Sequence, residues 1–189
     1  IVRMKTPRRS SVVLLVGGLV FIIGYDIGIK AGLIVNIGTI NEPAKESTDA
    51  TGLWITPGFI DLHTHYDGQA TWDAFMTPSS WHGVTTAVMG NCGVGFAPVR
   101  PGQEKELIEL MEGVEDIPGT ALSEGLSWDW ESFPEYLDAL ERLPRSVDVA
   151  THVPHGAVRA YVLGDREKPG AVPTDEDIEA MAKIVEDGV

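Results

Sequence analysis

The stretch PGFIDLHTHYDG at residues 57–68 decides how this chain is read. Phe59, Ile60 and Leu62 make an apolar run, and Pro57-Gly58 punctuates its start, so a buried strand is predicted. Alternate side chains of a strand share a face. His63 and His65 therefore project together, with Thr64 turned away. Asp61 lies on the histidine face, and Asp67-Gly68 follows as a turn. An isolated His-x-His is more often two surface histidines than a ligand pair. Two imidazoles at the end of a buried strand, with a carboxylate beside them, instead make half of a site for Zn²⁺ or a similar divalent ion.

Working outward, residues 77–98 read TPSSWHGVTTAVMGNCGVGFAP. Thr85–Met89 is β-branched and apolar and predicts a second strand, ending at Asn91-Cys92. Cys92 is the single cysteine of the chain, so it has no intrachain disulfide partner. A lone cysteine is usually a small buried hydrophobe. Cys92 departs from that pattern because its neighbours are Asn91 and Gly93 rather than a strand core. A thiolate on such a loop suits a borderline metal. His82 precedes the second strand instead of ending it, and reads as structural.

These motifs carry a resemblance. The stretch at 57–68 looks like the first barrel strand of the amidohydrolase superfamily. The stretch at 77–98 is similar to the N-acyl-D-amino-acid deacylase (D-aminoacylase) family, and so are GLSWDWESFPEYLDAL at 125–140 and VPHGAVRAYVLG at 153–164. The fold this implies is α/β. Part of a metal-dependent-hydrolase (β/α)₈ (TIM) barrel, about three strands with their helices, would span residues 57–189. Part of a small β-sandwich domain would precede it over residues 1–56.

The resemblance also implies a chemistry. His63, His65 and Cys92 would be metal ligands for one or two divalent ions, Zn²⁺ in this family. Asp61 would orient a histidine from behind, with a structural role in the strand as an equal reading. His155 and Arg159 are substrate-side candidates near the end of a third strand, where packing is at least as good an account. The reaction would be hydrolysis of the amide bond of an N-acyl-D-amino acid. The metal polarises the carbonyl and activates water, and an aspartate from the last strand moves the proton. The sequence offers no counterpart of that aspartate or of the family's later histidine ligands, so no catalytic residue is assigned. A (β/α)₈ barrel takes about 250 residues. The expectation is an N-terminal fragment, inactive alone. The preference for the D-enantiomer rests on the resemblance; no residue reads out chirality.

Two alternatives stay open. Cyclic-amide hydrolases such as dihydroorotase or hydantoinase share the His-x-His, but use a carboxylated lysine on the fourth strand where this chain has Cys92 on the second. The other alternative is a truncated, non-catalytic metal-binding module.

Bulk composition excludes other classes. With 14 Lys+Arg against 28 Asp+Glu, the formal charge is −14. Nucleic acid and anionic membrane surfaces both need a basic face, so neither is an expected partner; a small N-acylated amino acid is. At the N-terminus, Arg3, Lys5, Arg8 and Arg9 precede the apolar run 12–23, a signal-like order. The run falls short of the roughly 20 residues a bilayer needs. The competing and preferred reading is two strands joined at Gly17-Gly18, then another pair around Ala31-Gly32. A cytoplasmic location follows, with export as the alternative. The link FIIGYDIG at residues 21–28 is short and apolar where an Asp-Gly-rich loop is expected.

Further elements are predicted in turn. Residues 42–50 read as a loop leading into a strand over 53–60. Ser79 or Ser80 caps a short helix. A helix covers 105–111, and an irregular stretch runs over 113–130, with Trp128 and Trp130 packed beneath a loop. A helix follows over 132–142 with Ser132 and Glu135 at capping-box spacing. A strand covers 146–153. A last helix begins at Thr174, buries Ile178, Met181, Ile184 and Val185, and stops at Gly188.

Overall fold

The structure, a computed structural model, describes residues 2–5, 14–16 and 19–21 by their backbone and residues 26–115 and 117–189 in full. It is mixed α/β and divides into two units, residues 1–57 and 58–189. The Gly17-Gly18 turn, the Arg8-Arg9 pair and residues 22–25 of the 21–28 link lie outside the described residues.

Among its described residues the first unit has strands and no helix. Its strands are β1 (Val2–Lys5), β2 (Leu14–Val16), β3 (Leu19–Phe21), β4 (Asp26–Lys30), β5 (Leu33–Gly38) and β6 (Glu46–Asp49). Four form a sheet in the order β5-β4-β1-β6, with β1 antiparallel to β4 and parallel to β6. β2 and β3 pair separately and antiparallel, Leu15 opposite Val20. Ala31 (φ 51°) and Gly32 (φ 77°) close the β4–β5 hairpin with two left-handed residues, as a tight primed turn requires. β6 corrects the expected loop at 42–50. All four of its side chains are exposed and polar, so hydrophobic alternation gives no sign of a strand held only by backbone pairing. Asp26 and Ile40 are buried, and the Ile40 amide donates to Asp26 Oδ2 at 3.1 Å.

The second unit carries three parallel strands, β7 (Phe59–Asp61), β8 (Val84–Met89) and β9 (Asp148–Thr151), in the order β7-β8-β9. The strand expected over 53–60 forms only from Phe59. Pro57 has no N–H to give a ladder. Gly58 lies so close to β8 that a Cβ there would sit 2.1 Å from Thr85. The expected burial is also corrected. Phe59, Ile60 and Leu62 are 51%, 61% and 70% exposed, because β7 is an edge strand whose only neighbour among the described residues is β8.

Five helices accompany this sheet: α1 (Glu104–Glu115), α2 (Gly119–Gly125), α3 (Phe133–Arg142), α4 (His155–Leu163) and α5 (Asp175–Asp187). α1 runs longer than its apolar spacing predicts. α2 falls where irregular chain is expected: its two glycines read as loop, but Leu122 is fully buried and anchors the turn. α3 starts as predicted. The Glu135 amide donates to Ser132 Oγ (3.3 Å), and the Ser132 amide donates to Glu135 Oε2 (2.8 Å). α5 is capped by Thr174 and stops at Gly188. Its apolar stripe is not buried, however. Ile178 is 50% and Val185 44% exposed, because α5 packs on α4 and brushes α3 along one side only. Neither Ser79 nor Ser80 caps the 3₁₀ turn at 79–82; Pro78 holds the cap position, and Ser79 pairs with the Tyr66 hydroxyl at 2.6 Å.

The core lies between β8 and the helices, around Met89, Phe96, Met111, Phe133 and Tyr136. Trp130 is buried with its Nε1–H donated to the Phe96 carbonyl (2.8 Å), and Trp128 stacks edge-on to Phe96. Both tryptophans pack beneath the loop, as expected. Among the described residues no helix is long and apolar enough to cross a membrane.

Candidate metal centre

β7 ends at Asp61, and the four residues after it leave the ladder without losing alternation. Thr64 turns toward β8, where its amide and its hydroxyl both donate to the Val88 carbonyl, each at 2.9 Å. That anchor leaves His63 and His65 together on the other side, ring centroids 5.6 Å apart and edge to face. Asp61 accepts a hydrogen bond from the His63 amide at 3.1 Å. It therefore fixes the main chain of a histidine rather than its ring.

Cys92 reaches the same place from the end of β8. Its backbone is left-handed (φ 55°, ψ 10°), between Gly90 and Gly93, both at φ 75°. A Cβ at Gly90 would lie 2.4 Å from the His152 carbonyl, so the loop is pressed against the end of β9. Asn91 laces this loop to the histidine segment, its Nδ2 donating to the carbonyls of Val88 (2.8 Å) and Thr64 (3.2 Å). The outcome is a cluster in which the donor atoms of His63, His65 and Cys92 all lie within 4.8 Å of one another. Cys92 Sγ is 3.4 Å from His63 Nε2. Two ligands of a tetrahedral zinc ion with Zn–N near 2.0 Å and Zn–S near 2.3 Å stand about 3.5 Å apart. One edge of such a site is present. His65 Nδ1 is buried and has no hydrogen-bond partner. Two imidazoles and a thiol are a donor set suited to zinc.

Beneath the cluster sits Asp67, 1% exposed. The sequence reading made it a turn residue; its side chain is in fact buried. Burial, the larger effect, lifts its pKa to about 7 against hydrogen bonds from the Gly90 and Asp67 amides, and the Glu115 carboxylate adds to the rise. The buried Tyr136 hydroxyl donates to the Asp67 carbonyl at 2.8 Å. Glu115 Oε1 stands 3.4 Å from His65 Nε2. The roles of Asn91, Tyr136 and Glu115 left no mark in sequence periodicity. Asp67 could have been flagged by its place two residues past a histidine pair.

The other candidates fall elsewhere. His155 is exposed at the first position of α4, its Cβ against the Gly93 loop, and supplies no atom to the cluster. Arg159 is committed to Glu167 Oε1 (2.9 Å) and the Ala171 carbonyl (2.6 Å), which ties α4 to the segment that leads into α5. His82 is exposed in its 3₁₀ turn and stays out of the cluster.

Comparison with known proteins identifies the family. The amidohydrolase family profile matches residues 46–189. The chain is 36% identical over 165 residues to a D-aminoacylase of Alcaligenes xylosoxydans xylosoxydans, covering 87% of this chain and 31% of that protein. It is 32% identical over 165 residues to an N-acyl-D-aspartate deacylase of the same organism, covering 87% and 30%. A solved D-aminoacylase, described with a binuclear metal center, superposes with TM-score 0.69 at 32% identity, over 88% of this chain and 32% of that one. The chain thus spans under a third of the length of these relatives. The profile match over three quarters of its residues settles its membership: the chain belongs to the amidohydrolase family.

Proposed function

We propose that this chain carries the first metal-binding arm of a zinc-dependent hydrolase acting on N-acyl-D-amino acids. The observation that carries the reading is the meeting of His63, His65 and Cys92 from the ends of two neighbouring parallel strands. Support for the substrate comes from the relatives, which are a D-aminoacylase and an N-acyl-D-aspartate deacylase. The three parallel strands are read as the opening of a (β/α)₈ barrel over residues 57–189. Residues 1–56 are read as part of a small β domain. A barrel keeps its site at the C-terminal ends of its strands, which is where β7 and β8 carry the three donors.

A zinc ion bound there would polarise an amide carbonyl and lower the pKa of water toward about 7. The chain's own residues hold the donors in place. Asp61 fixes the His63 backbone, Thr64 pins the histidine segment to β8, and Asn91 ties the Cys92 loop to both. Proton transfer is assigned to no residue of this chain.

Zinc titration with metal analysis tests the reading. The wild-type chain should hold zinc, and Cys92→Ala should abolish tight binding. Stoichiometric zinc retained by Cys92→Ala would overturn the ligand set. The chain alone should give no turnover of N-acetyl-D-amino acids; measurable turnover would show that the proton-moving group is already present.

A further inference from the structure

The loop that carries Cys92 rests along its whole length on one short segment, the junction of β9 and α4. Ahead of Cys92, the Met89 carbonyl accepts from the His152 amide at 2.9 Å, and Gly90 presses on the His152 carbonyl so closely that a Cβ would collide with it. Beyond Cys92, a Cβ at Gly95 would lie 2.8 Å from Cγ of the fully buried Pro154. Between these points the first turn of α4 meets the Gly93 carbonyl: a Cβ at Gly156 would lie 2.8 Å from that oxygen. At each point a missing side chain lets the two segments close up.

We propose that Gly156 is a positioning residue of the metal centre, the bare point of α4 on which the Cys92 loop is seated. This rests on the metal-centre reading above. Gly93 shares a peptide bond with Cys92, so a displaced Gly93 carbonyl moves the Cys92 backbone. The 3.4 Å approach of Cys92 Sγ to His63 Nε2 moves with it. The helix itself has no need of glycine at this position, because alanine is the better helix former. Leu110 Cδ2 would also lie 2.9 Å from the added Cβ, but it ends a flexible, exposed side chain that can turn aside. The Gly93 carbonyl is backbone and takes its neighbour along. The His63 side of the pair is held separately, through Thr64 and the Val88 carbonyl, so α4 bears on the thiol arm alone. Coupling between two places is reciprocal: a metal on the thiol must steady the first turn of α4 in return.

Cobalt(II) titration reads the thiol arm through the thiolate-to-metal charge-transfer band. Affinity should fall about 10–100-fold in Gly156→Ala, the range for groups that orient metal ligands. Gly113→Ala, in α1 where the new Cβ meets open space, should leave it unchanged. Adding Leu110→Ala to Gly156→Ala removes only the soft contact and should not restore binding; restoration would place the conflict on α1 and overturn the proposal. A second readout needs no metal. The nuclear Overhauser contact between the Cys92 Cβ protons and the His63 ring should weaken in Gly156→Ala and persist in Gly113→Ala. A third needs no variant. Zinc loading of the wild type should slow exchange of the Val158 amide, which donates to the Pro154 carbonyl (3.1 Å) at the start of α4. Wild-type cobalt affinity in Gly156→Ala, or Val158 exchange indifferent to zinc, overturns the proposal. A wild-type chain that takes up no metal overturns the metal-centre reading instead. The Cys92–His63 contact then decides the seat on its own: loss in Gly156→Ala upholds it and persistence overturns it.

Discussion

Cys92 shows most plainly a residue held in an uncommon backbone conformation. A side chain with a Cβ in the left-handed region costs roughly 1–2 kcal/mol, and such outliers gather at functional sites. Glycine is free of that cost. Metal-free Cys92→Gly should therefore melt several degrees above Cys92→Ala by circular dichroism, although neither should bind zinc tightly. Equal melting of the two would mean that the loop relaxes once the thiol is gone. Asp67 gives a second prediction. Its carboxyl is buried with Oδ2 making no hydrogen bond, and burial lifts its pKa to about 7; a raised folded-state pKa takes stability away as pH rises from the unfolded value, about 4, through the folded one. Urea midpoints should therefore fall between pH 5.5 and pH 8 in the wild type and fall less in Asp67→Asn; equal falls would mean that the Asp67 carboxyl is not the group responsible. The paired projection of His63 and His65 was legible in the sequence because strand alternation is a local rule. The Tyr136 prop under Asp67 was not, because it spans 69 residues of chain and no local period encodes it.

Among the elements, legibility followed side-chain chemistry. The starts of α3 and α5 could be read from Ser132 and Thr174, because capping places donor and acceptor within three residues. β6 and α2 escaped, the first because its side chains are all exposed, the second because Gly119, Gly125 and Pro118 carry loop signals that the burial of Leu122 overrides. β7 was found but its cover was misjudged: an apolar run announces burial by something, and nothing in the run says whether that neighbour lies within the chain. The cap of α5 yields a pH prediction. The guanidinium fork of Arg166 (2.6 and 2.9 Å) and the Thr174 amide hold the Asp177 carboxyl well below the usual carboxylate range. A depressed folded-state pKa gives stability that is present above the unfolded value, about 4, and is lost as pH falls toward the folded one. Urea midpoints at pH 5 and pH 2.5 should drop steeply in the wild type and less in Asp177→Asn. Parallel drops would show that the Arg166 pair adds nothing to acid stability.

For the molecule as a whole, charge and apolar surface work against each other. Phe59 and Ile60 on β7, Leu62 just beyond it, and Leu33, Ile34 and Val35 on β5 are more than half exposed, and uncovered strand edges invite pairing between chains. The formal charge of −14 opposes that contact at neutral pH. Sedimentation velocity should show mass rising with concentration as pH is lowered toward 4.6, where the charges cancel, and Ile60→Lys should delay the onset. A chain that stays monomeric there would mean that these edges do not drive association. The segments that carry His63, His65 and Cys92 have a different collective property. The Val88 carbonyl takes three donors, the Thr64 amide, the Thr64 hydroxyl and the Asn91 amide group. A single oxygen is thus the hinge pin of both segments, so neither can swing free while the other stays seated. In deuterium exchange the Thr64 amide becomes a clock for the Cys92 loop: removing Asn91, a residue with no donor atom in the cluster, should make the histidine strand exchange faster.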